Sequence, residues 1–386
     1  MALAGFSVGE AEGLRRAMSR KRSAEALEAY RERFVAGSAA KGVSPETANR
    51  VYDKLTSFSG FGFPKSHAAA FALLGYQSAW LRHYYPAEYL ASLLNAQPMG
   101  FYSPAALVRD AQRRGLTVLP VDVNASAAWS RVESGAVRLG LQLVRELGEE
   151  GARELVAERE RDRPFADVRA LAQRSSLEER VLAALVKAGA CDCFGAPRRT
   201  LLWQLGLVPR GKSVPGSGGA ERQLPLSVPP ADAPPLPEQT VWERLLADYR
   251  TTGIATGPHP LELLRPELPQ DVLTSDRLGT LRSGVQVAVA GLVLARQRPP
   301  TANGVTFLLL EDEHGQLNVI VMPPLYARNR ALVRGEPILI ARGRLQRSGG
   351  TINVIADELR SLLPLAGKLA GGADVYGSLP GAHHFY

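Results

Sequence analysis

Between residues 208 and 239 the chain holds 8 prolines and 4 glycines in 32 residues. No packed helix or sheet sustains that density, because proline removes a backbone donor and glycine gives up the most conformational freedom on folding. The stretch reads as a flexible or polyproline-like linker, so the chain folds on either side of it. At about 100–200 residues per domain, 386 residues allow two to four domains. A hydrophobic fraction of 45% against 22% charged is enough to build cores on both sides.

After the linker, VWERLLADYRTTGI reads as one helix, followed by Gly257-Pro258-His259-Pro260 and a loop. Residues 284–363 then change to a period of two. VQVAVAGLVLARQR, VTFLLLED, QLNVIVM, EPILIARGRLQR and TINVIADEL are five β-like runs. Glu313-His314-Gly315-Gln316 is a hairpin turn between the second and third, and PPLYARNRALVR, between the third and fourth, is the helix-like exception. Five strands with a helix before the fourth is the layout of an OB-fold barrel. The tail from Gly367 is glycine-rich and reads as frayed.

Before the linker the pattern is helical. Ser7 with Glu10 forms a capping box, and Ser44-Pro45 and Ser103-Pro104 each read as an N-cap followed by proline at the first helical position. From His67 to Ala96 the chain is apolar nearly all round, which predicts helices buried against neighbours and divided at Pro86. Residues 116–138 are richer in β-branched residues and predict a short extended segment; residues 139–206 return to short helices. The expected fold class is therefore multidomain α+β: helical regions, a flexible linker, then a five-stranded OB-fold barrel.

The net charge of +8 and pI near 9.6 permit a polyanion partner. No apolar run reaches the roughly 18 residues of a membrane helix, and the first residues do not read as a secretory signal. Cys191 and Cys193, one residue apart, suit neither a redox pair nor a four-ligand zinc site, so a cytoplasmic setting is expected.

Five motifs bear on function. In LRRAMSRKR, from Leu14 to Arg22, Arg16 and Arg20 share one helical face, and Arg15 and Arg22 share an adjacent one. Their forked donors suit phosphate, or else form a solvated basic face. In FGFPKSH, from Phe61 to His67, Ser66 caps a helix beginning at His67, and Lys65 beside that helix start marks either an anion site or a plain cap. Val144–Ala152, with Gly148 and Gly151, resembles a helix-hairpin-helix turn, whose backbone amides touch DNA phosphates; Glu149 and Glu150 are awkward there. A second, looser hairpin is read at 188–192. Gln223, Leu224 and Leu226 in the linker are similar to the bacterial sliding-clamp motif, with Ser227 in place of its final aromatic. In the barrel, Arg296, Arg298, Arg342, Arg344 and Arg347 fall at strand ends or loops, while Phe307 and Tyr326 supply sparse aromatics for stacking on single strands. No paired strand carboxylates for metal, phosphate loop or nucleophile set is visible, so no catalytic residue and no metal ligand is assigned.

AGFSVGEAEGLRRAMSRKR and FGFPKSHAAAFALLGYQSAWLRHYYPAEYLASLLNAQPMGFYSP closely resemble bacterial C-family DNA polymerases, the family of the polymerase III alpha subunit and its error-prone paralogue. The likeness continues through VLPVDVNAS, GAVRLGLQLVRELGEEGA, LVKAGACDCFG, DYRTTGIATGPHPLELLR and the barrel, and NAQPMGFY is similar to the error-prone branch. The resemblance implies fingers over 1–110, with Arg15 and Arg16 matching arginines that contact the incoming triphosphate. It implies a helix-hairpin-helix duplex grip over 111–206. From the motifs above, Gly148 and Gly151 of the hairpin, and Lys65, Ser66 and His67 at the separate helix start, are expected DNA contacts. It implies a linker with the clamp contact over 207–240, a helix and connector over 241–283, the OB domain near single-stranded template over 284–363, and a flexible tail over 364–386. Family members also carry a PHP domain and a palm with three catalytic aspartates ahead of the matched region. The expectation is therefore a C-terminal portion that binds primer-template DNA, incoming dNTP and a sliding clamp, beside a separately encoded N-terminal half, with Mg2+ needed by the complete polymerase and none bound here. Rival readings are a stand-alone OB-fold single-strand binder, a piece of the replicative polymerase, and an unstable remnant.

Overall fold

The computed structural model describes residues 3–18, 24–56, 65–100, 102–208, 234–299, 302–348 and 350–385. The chain divides into two compact units between Tyr84 and Tyr85.

The first unit is helical: α1 (Val8–Met18), α2 (Ala24–Ala39), α3 (Pro45–Thr56) and α4 (Lys65–Tyr84). The capping box is present, with Ser7 N donating to Glu10 Oε2 (2.8 Å) and Glu10 N to Ser7 Oγ (3.3 Å). Ser44 Oγ likewise accepts from Thr47 N at the head of α3 (3.2 Å). A small core of Phe6, Leu14, Phe34 and Tyr52 joins α1, α2 and α3, with Phe6 edge-on to Phe34 at 5.9 Å. Helix α4 is not buried within the described residues. Its apolar side chains stand in solvent, Phe71 at 59% and Tyr76 at 69% exposure. Apolarity all round a helix predicts burial but does not supply the surface that buries it.

The second unit opens with α5 (Pro86–Asn95) and α6 (Pro104–Arg113), the latter capped by Ser103 Oγ accepting from Ala106 N (3.2 Å). Pro86 does divide the apolar stretch. The boundary expected at 110 falls instead after residue 84, because Leu90, Leu94 and Val108 bury in the core of the second unit. The extended segment is a small sheet of β1 (Val118–Leu119), β2 (Arg131–Glu133) and β3 (Ala136–Arg138), ordered β1-β3-β2. Then come α7 (Gly148–Arg161), α8 (Val168–Arg174), α9 (Glu179–Lys187) and α10 (Arg198–Gly206). Residues 139–147, expected helical, make only a 3-10 turn at Leu141–Leu143.

Past the linker, α11 (Val241–Thr252) and α12 (Pro260–Leu264) lead through β4 (Val272–Leu273) to the barrel. Its strands are β5 (Gln286–Gln297), β6 (Thr306–Glu311), β7 (Gln316–Val321), β8 (Ile338–Ser348) and β9 (Thr351–Ser361), with α13 (Pro323–Arg328) and α14 (Arg330–Gly335) between β7 and β8. The order β5-β6-β7-β9-β8 closes through β5–β8 pairing, and β7–β9 is the parallel pair within that ring. This is the OB layout read from the sequence. Val287, Val289 and Val293 of β5 point into the barrel, while Ala288, Ala290 and Leu292 pack outward in a core that includes α11 and α12. Burial on both faces explains why β5 reads as a continuous apolar run.

The tail departs from its reading. Its composition predicts flexibility over 364–386, yet α15 (Leu363–Leu369) buries Ala366, Val375 and Leu379 join the same outer core, and β10 (His383–Phe385) pairs in parallel with β5. Glycine marks the turns at 371 and 372, where φ is positive, and not a frayed end.

Candidate nucleic-acid interface

The barrel arginines divide by where their guanidinium groups go. Arg296, 5% exposed, donates through Nε to Val333 O (2.9 Å) and through Nη2 to Glu336 O. It anchors α14 to the wall, which corrects its reading as a DNA contact: a strand-end arginine can turn inward when nearby carbonyls lack partners. Arg347 behaves alike, holding Leu278 O (3.3 Å), Gly279 O and Leu281 O (3.0 Å). Arg342 forms a two-pronged pair with Asp271, and its hydrogen bond and charge hold that carboxyl below its ordinary range. Arg344 is exposed on β8.

Arg298, one residue past β5, is exposed. Its guanidinium carbon lies 4.3 Å from the ring centroid of Tyr326 on α13, a cation–π stack. Beside it is a gap of about 10 Å3 lined by Arg296, Thr306, Tyr326 and Arg334. The Thr306 hydroxyl there is buried without a hydrogen-bond partner among the described residues. A guanidinium plane backed by a ring is a surface on which an unpaired base stacks, and Arg328, Arg330 and Arg334 stand exposed on α13 and α14. Sequence reasoning does not pair Arg298 with Tyr326. Three arginines within Arg328–Arg334 are the signal that could have drawn attention to this side of the barrel.

The hairpin glycines have separate tasks. Gly148 takes φ +67 at the start of α7. A Cβ on Gly151 would lie 2.9 Å from Leu147 Cδ1 and 3.6 Å from Leu177 Cδ2, so that position is closed by packing. The turn's amides are partly used within the chain: Arg145 N donates to Thr251 O (3.0 Å), and Leu147 N and Gly148 N to Val144 O (3.0 and 3.2 Å). Glu149 and Glu150 sit in the first turn of α7, where they favour the helix dipole and oppose a phosphate. The second hairpin is closed the same way, Gly189 N to Val186 O and Ala190 N to Leu185 O (3.1 and 3.0 Å). Arg198 of α10 pins it, with Nε and Nη2 on Asp192 (3.0 and 2.9 Å) and Nη1 on Asp248 of α11 (2.8 Å).

In the helical unit Arg15 is exposed on α1. The side chains of Arg16 and Lys65 lie outside the described residues, as do Phe61 to Pro64. Ser66 sits inside the first turn of α4, which begins at Lys65, and the exposed His67 ring lies tilted against Phe71, centroids 4.3 Å apart. Gln223, Leu224 and Leu226 also lie outside the described residues. Among those described, no three His, Cys, Asp or Glu side chains come together to hold a metal ion, and no helix is long and apolar enough to cross a membrane.

Comparison with known proteins bears on these regions directly. Residues 115–201 match a model described as a helix-hairpin-helix motif, and residues 287–362 one described as an OB-fold nucleic acid binding domain. An error-prone DNA polymerase of Corynebacterium efficiens is 43% identical over 375 residues, covering 96% of this chain and 34% of that protein. Those of Anaeromyxobacter dehalogenans (43% over 376 residues, 94% and 32%) and Mycobacterium tuberculosis (44% over 365 residues, 93% and 32%) match similarly. The chain thus spans about a third of the length of the curated relatives it matches. By sequence it is a homologue of the error-prone DNA polymerases of bacteria, corresponding to the C-terminal third of them.

Proposed function

We propose that this chain is the DNA- and nucleotide-holding portion of an error-prone DNA polymerase that acts in damage-tolerant repair synthesis in the cytoplasm. In the complete enzyme the reaction is template-directed addition of a dNTP to a primer 3′ end. The helix-hairpin-helix region grips primer-template duplex, the barrel takes single-stranded template on the Arg298–Tyr326 side, and Arg15 and Arg16 meet the triphosphate of the incoming dNTP. Lys65, Ser66 and His67 contribute to the same helical surface, Gln223, Leu224 and Leu226 to a sliding-clamp contact. The observation that carries this reading is 43% identity over 96% of the chain, together with two nucleic-acid modules in one compact unit. The metal-holding carboxylates are assigned to polypeptide outside the described residues, encoded separately or in the same longer protein, and Mg2+ belongs to that complete polymerase.

Primer extension with the purified 386-residue chain tests this, alongside binding to the same primer-template. The expected result is salt-sensitive DNA binding without incorporation. Robust incorporation by the chain alone, or no affinity for DNA at low salt, overturns it.

A further inference from the structure

Helix α6 presents a polar face to the segment that joins the two nucleic-acid modules. Arg109, Gln112 and Arg113 are spaced i, i+3, i+4 and share one side of the helix. Arg109 is buried and donates Nη1 to Gly257 O (2.6 Å) and Nη2 to Pro258 O (3.1 Å). Gln112 Nε2 donates to Thr256 O (2.9 Å). Arg113 Nη1 reaches across to Glu311 Oε2 at the end of β6 (3.1 Å). Glu311 is itself buried, and His259 Nε2 stands 3.6 Å from its other oxygen. His259 is fixed in turn, its Nδ1 accepting from Leu261 N (3.1 Å).

These three side chains therefore hold three carbonyls of the connector and one carboxylate of the barrel. Buried, charge-assisted bonds of this kind are expensive to break one at a time, because the abandoned partner stays out of water. A barrel attached only through a chain segment would sample many orientations. One clasped at both its entry segment and its wall has its binding face set relative to the helix-hairpin-helix region.

We propose that Arg109 and Arg113 are positioning residues that fix the barrel against the helix-hairpin-helix region so that one DNA carrying a duplex–single-strand junction engages both at once. The inference rests on the proposed DNA-binding function. Pre-set geometry raises the effective concentration of the second module once the first is bound, and so strengthens junction binding without changing either contact.

The test uses the full chain with three DNA probes: a blunt duplex, a single strand, and the same duplex with a single-stranded 5′ extension. Wild-type protein is expected to bind the junction at least about tenfold tighter than either simple probe. Arg113→Gln and Glu311→Gln are expected to lose most of that advantage while duplex and single-strand affinities stay within about twofold, and Arg113→Lys is expected to restore part of it. Arg109→Ala is the stronger lesion, interpreted only if its melting temperature shows a folded chain. A wild-type chain that binds both simple probes but gains nothing at the junction overturns the positioning role and leaves the DNA-binding function standing. Folded Arg113→Gln that keeps the full advantage, or loses affinity for all three probes in parallel, also overturns it. Wild-type protein that binds no probe overturns the DNA-binding function itself.

Discussion

Arg296 and Arg298 stand two residues apart and do opposite work. Arg296, inside β5, satisfies two carbonyls of the α14 region; Arg298, one residue beyond the strand, lies on Tyr326. The sequence offers two arginines of equal standing, and only the placement of α14 separates them. Arg296→Ala leaves two carbonyls short of donors and should destabilise the fold by about 1–3 kcal/mol while changing single-strand affinity little in the folded protein. Tyr326→Ala should do the reverse, costing about 1–3 kcal/mol of single-strand binding through the lost stacking platform. Chemical unfolding and fluorescence anisotropy on the same two variants measure both quantities. A stability loss confined to Tyr326→Ala with an affinity loss confined to Arg296→Ala would reverse the assignment.

At the scale of elements, α11 is tied to α10 by two ion pairs. Arg198 meets Asp248, and Arg199 meets Glu243 (2.6 Å). Burial pushes the Asp248 carboxyl up to about 6, more than Arg198 pulls it down; Asp192 adds to the rise and Arg244 opposes it. A carboxyl raised above its ordinary 3.8 binds its proton more tightly in the folded chain than in the unfolded one. Its stabilising contribution is therefore present in full below that ordinary value and is lost as pH rises through about 6. Relative to Asp248→Asn, the wild-type chain should gain about 2 kcal/mol between pH 7.5 and pH 4.5. Urea unfolding of both proteins at the two pH values checks this, and a gain of opposite sign would refute the burial argument. This pair also shows where local pattern stops being informative. The five barrel strands are legible because alternating and continuous apolar runs report burial directly, and the caps at Ser7, Ser44 and Ser103 because their bonds span three residues. Arg198–Asp248, Arg109–Gly257 and Arg113–Glu311 join residues 50, 148 and 198 positions apart. No periodicity marks such partners, and the glycines of the tail hide a segment whose Ala366, Val375 and Leu379 are core.

At the scale of the whole molecule, the proline-rich stretch is bounded on both sides by described residues. Composition makes it a spacer between domains, but α10 before it and α11 after it belong to one compact unit. Arg199 Nη1 bonds Pro237 O (2.6 Å) while its Nη2 holds Glu243, so the described residues just after 233 are tied to α10. Shortening a segment whose flanking residues are already held together changes closure entropy only with the logarithm of length. Replacing residues 210–232 with a short Gly/Ser bridge should leave the second unit as stable as before or up to about 1 kcal/mol more stable. The same replacement removes Gln223, Leu224 and Leu226, so binding to a bacterial sliding clamp should be lost while junction DNA affinity is kept. Unfolding curves, clamp pull-down and DNA titration on the one variant separate these outcomes. A marked loss of stability would overturn the entropy argument, and retained clamp binding would move that contact elsewhere in the chain.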